Sequence, residues 1–474
     1  MPTSHETDPP KAPRSAVRRV VIATSIGTVI EYFDFALYGA ATALVFGPLF
    51  FPNADPVIST MASFGVFAAA FIVRPIGGII ASNIGDRIGR KPILIATITL
   101  MGLATVLTGL LPTYETIGAW APILLILTRI LQGLGAGAEY AGAATAVSEY
   151  APRKHLAFLT SFGQAAQGIA LASATGLFAL LALLPKEVLH AWAWRIPFLA
   201  SAVIFVIAIY IRRHIEETPE FEQGRNIEAA AEKADKKVSR VPVLLALRQV
   251  PGRVLAGLLC GSGINVAGYL INTFSISYVV NTLKLSPVIG TVAVVCGTGL
   301  AFFTIPLFGF VADRIGVAKV YVGSAIAMAA YVFALFALLQ TREPGLVILA
   351  VTLGYGVVQA GALACQAAFM TDLFPTHYRF SGIAIGRELN VAILGGTTPL
   401  IATALVASSG GSPVLVIAFV IAVQVLTVIG VIWGTVLRGR KTHEELTAET
   451  YSIPVITVDL ANQHAVGNSK GSKN

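Results

Sequence analysis

The stretch Gly85-Asp86-Arg87-Ile88-Gly89-Arg90-Lys91-Pro92 is a charged loop between two long apolar segments. A weaker copy, GFVADRIGVAK, runs from Gly309 to Lys319. Its core, Asp313-Arg314-Ile315-Gly316, repeats Asp86-Arg87-Ile88-Gly89 at an offset of 313 − 86 = 227 residues. A second pair of loops, around Pro152 and Pro375, repeats at a similar offset of 375 − 152 = 223. The chain is therefore predicted to be two copies of one membrane unit, fused head to tail, with a central site between them.

The composition is that of a membrane protein. Of 474 residues, 55% are hydrophobic and only 12% are charged, whereas a soluble domain has roughly 25% charged residues. Segments near the ~20 apolar residues that span a bilayer recur along the chain. Twelve can be counted: 20–46, 60–84, 92–111, 121–148, 156–183, 195–213, 252–279, 288–311, 319–339, 345–372, 381–407 and 414–437. We predict an all-α membrane protein with twelve transmembrane helices in two pseudo-symmetric six-helix halves.

The basic residues alternate between loops. The net charge of +8 is gathered in the tails, the two loops around Asp86 and Pro152, and the middle linker, and not in one patch that would fit nucleic acid. Basic loops stay in the cytoplasm, so both termini and the linker are predicted there. The predicted domains are a cytoplasmic tail at 1–19, a six-helix half at 20–213, a cytoplasmic linker at 214–250, a second half at 251–437 and a cytoplasmic tail at 438–474.

Several classes of protein are excluded by missing motifs. The cysteines, Cys260, Cys296 and Cys365, show no metal-ligand spacing, and no nucleophile motif is present. No GxxxxGK[ST] phosphate loop is present either. The sequence therefore indicates neither an enzyme nor an ATP-driven pump, and no metal or cofactor is expected. Glycines in the spans suit a channel and a transporter alike, so composition leaves these two open.

Ionisable side chains inside the spans are the strongest functional signal, because a charge in hydrocarbon is costly. Glu31 and Asp34 lie in the first span, and Arg74 lies in the second. At about 1.5 Å per residue these three groups are predicted at a similar, central depth. Two acids and one base leave one negative charge uncompensated, and protonation removes it. We therefore expect Glu31 or Asp34 to carry a proton and Arg74 to hold an anionic substrate.

Other polar residues extend the predicted site. Glu139 is a third candidate for proton coupling. The further candidates for substrate binding are Arg129, Tyr38, Gln132, Gln164 and Asn390. The alternative remains open that such groups only pair with one another and hold helices together, above all for Arg129 and for the adjacent Arg387 and Glu388. The sequence assigns no role to the Arg387-Glu388 pair.

The chain resembles a known family in its motifs. GDRIGRK after the second span, with its copy after the eighth, resembles the major facilitator superfamily. IGTVIEYFDFALYG, VRPIGGIIASNIGDRIGRK, RILQGLGAGAEYAGA, WRIPFL and EETPEF resemble its metabolite:proton symporter branch, which includes carriers of shikimate, 2-oxoglutarate, citrate, proline and betaine. The resemblance covers about residues 15 to 440. It implies a bacterial inner-membrane symporter that works by alternating access, and we expect it to act as a monomer.

The resemblance also implies a substrate class and a conformational latch. Because Arg74 and Arg129 favour anions, we expect proton-coupled uptake of a small organic acid across the bilayer, with osmolyte (proline or betaine) uptake as the alternative. The latch would hold the two halves together on the cytoplasmic side, with its acid facing the start of the eleventh span. Its residues would be Gly85, Asp86, Arg87, Gly89 and Arg90, with Asp313 and Arg314 in the second copy. The second copy has Val317-Ala318 where Arg90 stands in the first, which departs from the pattern.

Overall fold

A computed structural model describes residues 14–88, 90–137, 144–145, 147–148, 150–214, 247–375 and 379–439. The first half contains six apolar helices: α1 Ser15–Phe50, α2 Pro56–Ile88, α3 Arg90–Leu110, α4 Trp120–Ala136, α5 Leu156–Leu181 and α6 Ile196–His214. The second half contains six more: α7 Pro251–Thr282, α8 Pro287–Ile315, α9 Val317–Gln340, α10 Pro344–Leu373, α11 Ser381–Ser408 and α12 Val414–Arg438.

These helices follow the predicted order. Ten helices of the described chain are long and apolar enough to cross a bilayer, and the apolar parts of α3 and α4, Ile95–Leu110 and Trp120–Ala136, are shorter. Short helices at Tyr114–Ile117 and Lys186–Ala191 lie in the loops. The predicted all-α membrane fold is confirmed. The boundaries of the tails and the linker stay predictions, since residues 1–13, 215–246 and 440–474 lie outside the described residues.

Four helices contain a wider π-helical turn. These turns are Thr42–Phe46 in α1, Leu270–Phe274 and Tyr278–Thr282 in α7, Gly354–Val358 in α10 and Val391–Gly395 in α11. A π-turn adds a residue to the helical repeat and rotates the side chains that follow it, and such turns are frequent at functional sites. All four helices line the centre of the molecule, as described below.

Three pairs of helices make the main contacts between the two halves. α5 packs against α8 and α10, and α2 packs against α11. Glycines allow the α5–α8 pair to approach to backbone contact. A methyl group on Gly309 would lie 2.9 Å from the carbonyl oxygen of Ala157, and one on Gly168 would lie 2.9 Å from that of Thr298. The halves are thus closely packed on both sides of the central space.

Candidate substrate site and buried charge network

A cavity lies at the centre of the molecule, between the halves. The space within it that the centres of water molecules can occupy is about 60 Å³. Five helices line it, α1 and α5 from the first half and α7, α10 and α11 from the second. Its polar and aromatic lining residues are Tyr32, Phe35, Gln164, Gln167, Thr175, Asn265, Tyr269, Asn272, Thr273, Tyr355, Gln366 and Arg387. Both halves therefore contribute polar groups to one cavity, as a site that opens alternately to each side requires.

Helical spacing brings these side chains to the cavity. Tyr32, Phe35 and Ala36 of α1 lie at positions i, i+3 and i+4 and share one helix face. Glu31 and Asp34 lie on the adjacent face of α1, which points into the first half. On α7, Asn265, Tyr269 and Asn272 form a similar stripe. One face of α1 thus belongs to the cavity and another to the buried charges behind it.

Amide groups in the cavity bridge the halves and leave hydrogen-bonding capacity. Gln164 Nε2 of α5 donates to Gln366 Oε1 of α10 at 3.1 Å. Among the described residues, Gln366 Nε2 and Asn272 Oδ1 have no hydrogen-bond partner. A buried polar atom without a partner costs free energy. The cavity therefore presents one donor and one acceptor that a polar ligand satisfies.

A chain of four charged side chains runs beside the cavity. Arg74 Nη2 of α2 lies 2.6 Å from Glu31 Oε1, and Arg74 Nε lies 2.8 Å from Glu388 Oε2 of α11. Arg387 Nη1 lies 2.5 Å from Glu388 Oε1. Arg387 also donates to the Tyr32 hydroxyl oxygen of α1. The four charged residues are at most 5% exposed, and their two acids and two guanidinium groups balance in charge. Only Arg387 of the four lines the cavity.

Close packing of α2 against α4 fixes the position of Arg74. A methyl group on Gly133 would lie 2.1 Å from the carbonyl oxygen of Ala70, and one on Gly137 would lie 2.2 Å from that of Arg74 itself. Only glycine, which has no Cβ, allows this approach. The Arg74 guanidinium also donates to the carbonyl oxygen of Ala136 on α4 at 3.3 Å. The small residues of α4 therefore set the depth at which Arg74 meets its two carboxylates.

A second charge cluster lies deeper in the first half. Asp34 accepts a hydrogen bond from Thr105 of α3, and Gln132 Nε2 of α4 donates to the same threonine hydroxyl at 3.3 Å. Arg129 is fully buried and lies over the Tyr38 ring, with its Cζ 3.6 Å from the ring centroid. No described residue accepts a hydrogen bond from its guanidinium. Cation–π attraction and the nearby negative charge of Asp34 therefore stabilise Arg129 where it lies.

Asp313 joins the halves at the C-terminal end of α8. Its two carboxylate oxygens accept hydrogen bonds from the backbone N–H groups of Ala157 and Phe158, each at 2.9 Å. These residues begin α5, so a negative charge lies at the positive end of a helix dipole. Arg314 turns away and stacks on Phe310, with its Cζ 4.1 Å from the ring centroid. The corresponding latch residues of the first copy are Gly85, Asp86, Arg87, Gly89 and Arg90. Gly89 and the side chains of residues 85–91 lie outside the described residues.

Comparison with known proteins identifies the family. The family model of the Major Facilitator Superfamily matches residues 24–387, which is more than half of the chain. The chain belongs to the major facilitator superfamily. The shikimate transporter of Escherichia coli (strain K12) is 35% identical over 402 residues, covering 84% of this chain and 90% of that one. The proline/betaine transporter of Salmonella typhimurium is 32% identical over 430 residues, covering 89% and 83%.

Solved structures share the fold. A crystal structure of the D-xylose-proton symporter aligns with a TM-score of 0.66 at 17% sequence identity, covering 88% of this chain and 97% of that one. Within the major facilitator superfamily, the chain lies in the branch of the shikimate, proline/betaine and metabolite transporters. It is a secondary transporter of metabolites and not an enzyme.

The predicted site residues of this major facilitator protein fall into separate groups. Of the two acids expected at the depth of Arg74, Glu31 pairs with it, whereas Asp34 contacts Thr105 and not Arg74. The count of two acids against one base was incomplete, since Glu388, Arg387 and Arg129 also lie in this buried centre. Within the described residues the buried centre therefore holds three acids and three guanidinium groups.

The other predicted ligands differ in their access to the cavity. Gln164 lines it, whereas Arg74, Arg129, Tyr38 and Gln132 are not among its lining residues. Asn390 of α11 makes three hydrogen bonds to α7. It donates to Leu258 O and Ser262 Oγ, both at 2.8 Å, and accepts from Asn265 at 2.6 Å. These bonds hold the two helices together. Glu139 lies outside the described residues. The functional roles of all these residues stay predictions.

Of the polar and aromatic residues that line the cavity, only Gln164 was predicted as a ligand; Tyr32 and Arg387 are the most important of those that were missed. The signal for Tyr32 was its position one turn before Phe35 and Ala36, on the face of α1 adjacent to that of the acids. Arg387 was noticed as a charge inside a span, but its face of α11 was not assigned. Which of two adjacent charges meets the cavity depends on how α11 is rotated against α7, and the sequence alone does not fix this rotation.

Proposed function

We propose that this protein is a proton-coupled symporter that imports a small carboxylate across a bacterial inner membrane by alternating access. The observation that carries the proposal is the Arg387 guanidinium, which lines a cavity between the halves and is bonded to a buried carboxylate. As predicted from the basic loops, both termini and the linker would face the cytoplasm. An inner membrane metabolite transport protein of Escherichia coli (strain K12) is 35% identical over 401 residues, which supports this location.

A carboxylate fits the cavity better than a cation does. A guanidinium group presents two parallel N–H donors that match the two oxygens of a carboxylate. Gln366 Nε2 adds a neutral donor, and Asn272 Oδ1 accepts from a hydroxyl group of the substrate. A small hydroxylated acid uses all three groups. The substrate of the 35% identical relative, shikimate, has this chemistry.

Proton coupling follows from the buried charges. An anion that enters a site whose described charges already balance adds one uncompensated negative charge in a region of low dielectric constant. Uptake of a proton by a buried carboxylate offsets this charge. Glu31 and Asp34 are the candidates predicted from the sequence, and Glu388 is a third, which shares the counter-ion Arg74 with Glu31. Substrate and proton then bind with positive coupling, which is reciprocal by thermodynamic linkage.

Alternating access is supported by the contacts between the halves. The Asp313 cap on α5 and the Gln164–Gln366 hydrogen bond both join one half to the other. Each has to break when the cytoplasmic side opens. By the pseudo-symmetry of the sequence motif, we expect Asp86 to cap the start of α11 in the same way.

A second candidate function is osmolyte uptake. Four aromatic rings line the cavity: Tyr32, Phe35, Tyr269 and Tyr355. Aromatic faces attract a quaternary ammonium group such as that of betaine, and the proline/betaine transporter is 32% identical. A zwitterion also places its carboxylate on Arg387. The two candidates differ in charge, since the organic acid is a net anion and betaine has no net charge.

Transport by the purified protein in proteoliposomes tests the proposal. Shikimate, 2-oxoglutarate, citrate, acetate and glycine betaine are offered as labelled substrates, with an inward proton gradient and with the gradient collapsed by a protonophore. We expect at least one carboxylate to accumulate above its external concentration, and only while the gradient is present. Accumulation of glycine betaine alone supports the osmolyte function instead. Equal uptake of the carboxylates with and without the gradient contradicts proton coupling.

A further inference from the structure

We infer that Glu388 occupies, in the substrate-free protein, the place on Arg387 that the substrate carboxylate takes, and that the displaced Glu388 accepts the coupled proton. The inference rests on the proposed function and deepens it, because it assigns the two reactive partners. Arg387 becomes the residue that selects carboxylates, and Glu388 becomes the residue that exchanges with them.

The geometry of Arg387 supports an exchange of carboxylates. The guanidinium reaches the cavity, yet its Nη1 is occupied by Glu388 Oε1 at 2.5 Å. A second bond goes to the Tyr32 hydroxyl across the boundary between the halves. A substrate carboxylate that enters the cavity meets Arg387 before any other described charge of the network. Its oxygens are equivalent to those of Glu388, so the two anions compete for the same donor.

Glu388 is connected differently from Glu31. Glu388 bridges two guanidinium groups, Arg387 on its own helix and Arg74 on α2. The bonds of Glu31 within this network go to Arg74 alone, on the side away from the cavity. Substrate binding at Arg387 therefore removes a counter-ion from Glu388 directly and leaves the pair of Glu31 with Arg74 intact. Of the two acids, Glu388 is the one whose ionised form is destabilised by the substrate.

The surroundings of Glu388 contain charges of both signs. Arg74 faces it from α2, Arg387 from α11, and Glu31 and Tyr32 from α1. Tyr269 of α7 lies close enough to interact electrostatically with both arginines. With a monoanion on Arg387, the two guanidinium groups face three negative charges. One proton on Glu388 restores the balance, and Arg74 keeps Glu31 as its counter-ion.

Protonation of Glu388 also affects the contact between the two halves. Glu388 belongs to α11 in the second half, and Arg74 belongs to α2 in the first, so their pair joins the halves. Protonated Glu388 no longer attracts Arg74 as an anion, and the contact weakens. The proton comes from the outer solution and is released to the cytoplasm after the substrate leaves, when Glu388 returns to Arg387. The one covalent bond that forms and later breaks is the O–H bond of protonated Glu388, whose proton comes from water on one side and returns to water on the other.

Proton uptake on binding tests the assignment. Detergent-purified protein in weakly buffered solution is mixed with shikimate, and with acetate as the minimal carboxylate, and the pH change is followed with an indicator dye. The wild-type protein, Glu388→Gln, Glu31→Gln and Asp34→Asn are compared. Asp34→Asn is the matched control, because it also neutralises a buried acid of α1, but one that contacts Thr105 and lies outside this network. Thermal unfolding of each variant checks that it is folded, and isothermal calorimetry measures the affinity.

We expect about one proton to be taken up per bound anion in the wild type and in Asp34→Asn, and none in Glu388→Gln. The affinity of Glu388→Gln for the anion becomes independent of pH, since the competing carboxylate is absent. Glu31→Gln also removes one negative charge and takes up no proton, but Glu388 still competes for Arg387, so this variant binds the anion more weakly than Glu388→Gln does.

Uptake that persists in Glu388→Gln or disappears in Asp34→Asn, or equal affinities of Glu31→Gln and Glu388→Gln, overturns the assignment to Glu388 while the proposed symport stands. If Glu388→Gln does not fold, Glu388→Asp takes its place: the shorter acid competes less well for Arg387, so the affinity for the anion rises, and an unchanged affinity overturns the assignment. No proton uptake by the wild type with either anion contradicts the symport itself, and the inference fails with it.

Discussion

Arg74 of α2 and Glu388 of α11 form an ion pair between the two halves of the protein, with Nε 2.8 Å from Oε2. The same guanidinium holds Glu31 of α1 at 2.6 Å. Arg74 is therefore the shared counter-ion of two buried carboxylates that come from different halves. This position makes it a structural centre of the charge network, whereas Arg387 is the cation that the cavity exposes.

Removal of Arg74 should destabilise the protein strongly. Arg74→Gln leaves Glu31 and Glu388 without their common counter-ion, and breaking a buried pair in this way costs about 3–5 kcal/mol. Arg74→Lys should lose less stability, because the positive charge stays and only the planar guanidinium group with its two parallel donors is lost. Thermal unfolding in detergent measures both. Arg314→Gln is the control, since Arg314 is exposed and should leave stability unchanged. Wild-type stability of Arg74→Gln would show that the pair is not structural.

Close packing of α2 against α4 should not tolerate a methyl group. In Gly133→Ala the new Cβ would meet the carbonyl oxygen of Ala70 at 2.1 Å, so the helices must move apart. Overpacking of this kind costs about 1–3 kcal/mol and shifts Arg74 with its helix, so both stability and transport should fall. Gly163→Ala on α5 is the control, because nothing lies within 4 Å of its added methyl group. Equal stability and transport in the two variants would contradict the packing argument.

Loss of the Asp313 charge should favour opening of the cytoplasmic side. Asp313→Asn keeps a side chain of the same shape but removes the anion from the N-terminus of α5, a loss of about 1 kcal/mol. This shifts the closed–open equilibrium about five-fold toward the open form. The labelling rate of a cysteine at Ser161, in a cysteine-free background, reports the opening, since Ser161 is fully buried beside Gly309 in this structure. An unchanged labelling rate would show that the contact does not hold the halves together.

The guanidinium fork of Arg387 should matter beyond its charge. Arg387→Lys keeps a cation at the cavity but loses the two parallel donors, so shikimate should bind about ten-fold more weakly. Binding calorimetry measures the change. Arg438→Lys provides the control, because Arg438 pairs with Asp372 at the surface and is 52% exposed. An affinity of Arg387→Lys equal to that of the wild type would place the carboxylate elsewhere.

The sequence predicted the helices and the identity of the unusual charges, but not how those charges pair. Apolar length alone fixes a transmembrane helix, and the cost of a charge in hydrocarbon singled out Glu31, Asp34 and Arg74 without any coordinates. Their partners depend on the rotation of each helix about its axis. Asp34 faces α3 and Thr105, although it lies only three residues from Glu31.

Helix rotation also could not be predicted in the second half of the chain. Asn390 looked like a ligand because an amide in a span is unusual, yet three hydrogen bonds anchor it to α7. The Gln164–Gln366 bond joins residues 202 positions apart, and no local pattern indicates such a pair. The family resemblance placed Asp313 in the second copy of the latch motif, but it did not identify the partners of Asp313, the backbone N–H groups of Ala157 and Phe158. A repeated motif thus singles out residues, whereas helix packing and rotation decide their contacts.

The most direct test of the account separates the two components of the proton-motive force. Proteoliposomes that contain the purified protein receive labelled shikimate under a pH gradient alone, or under a membrane potential alone set by a potassium gradient and valinomycin. If one proton enters with each monoanion, the loaded site has the same charge as the empty one. The pH gradient alone should then drive accumulation, and the membrane potential alone should not. Accumulation driven by the membrane potential alone, or no response to the pH gradient, would contradict the account.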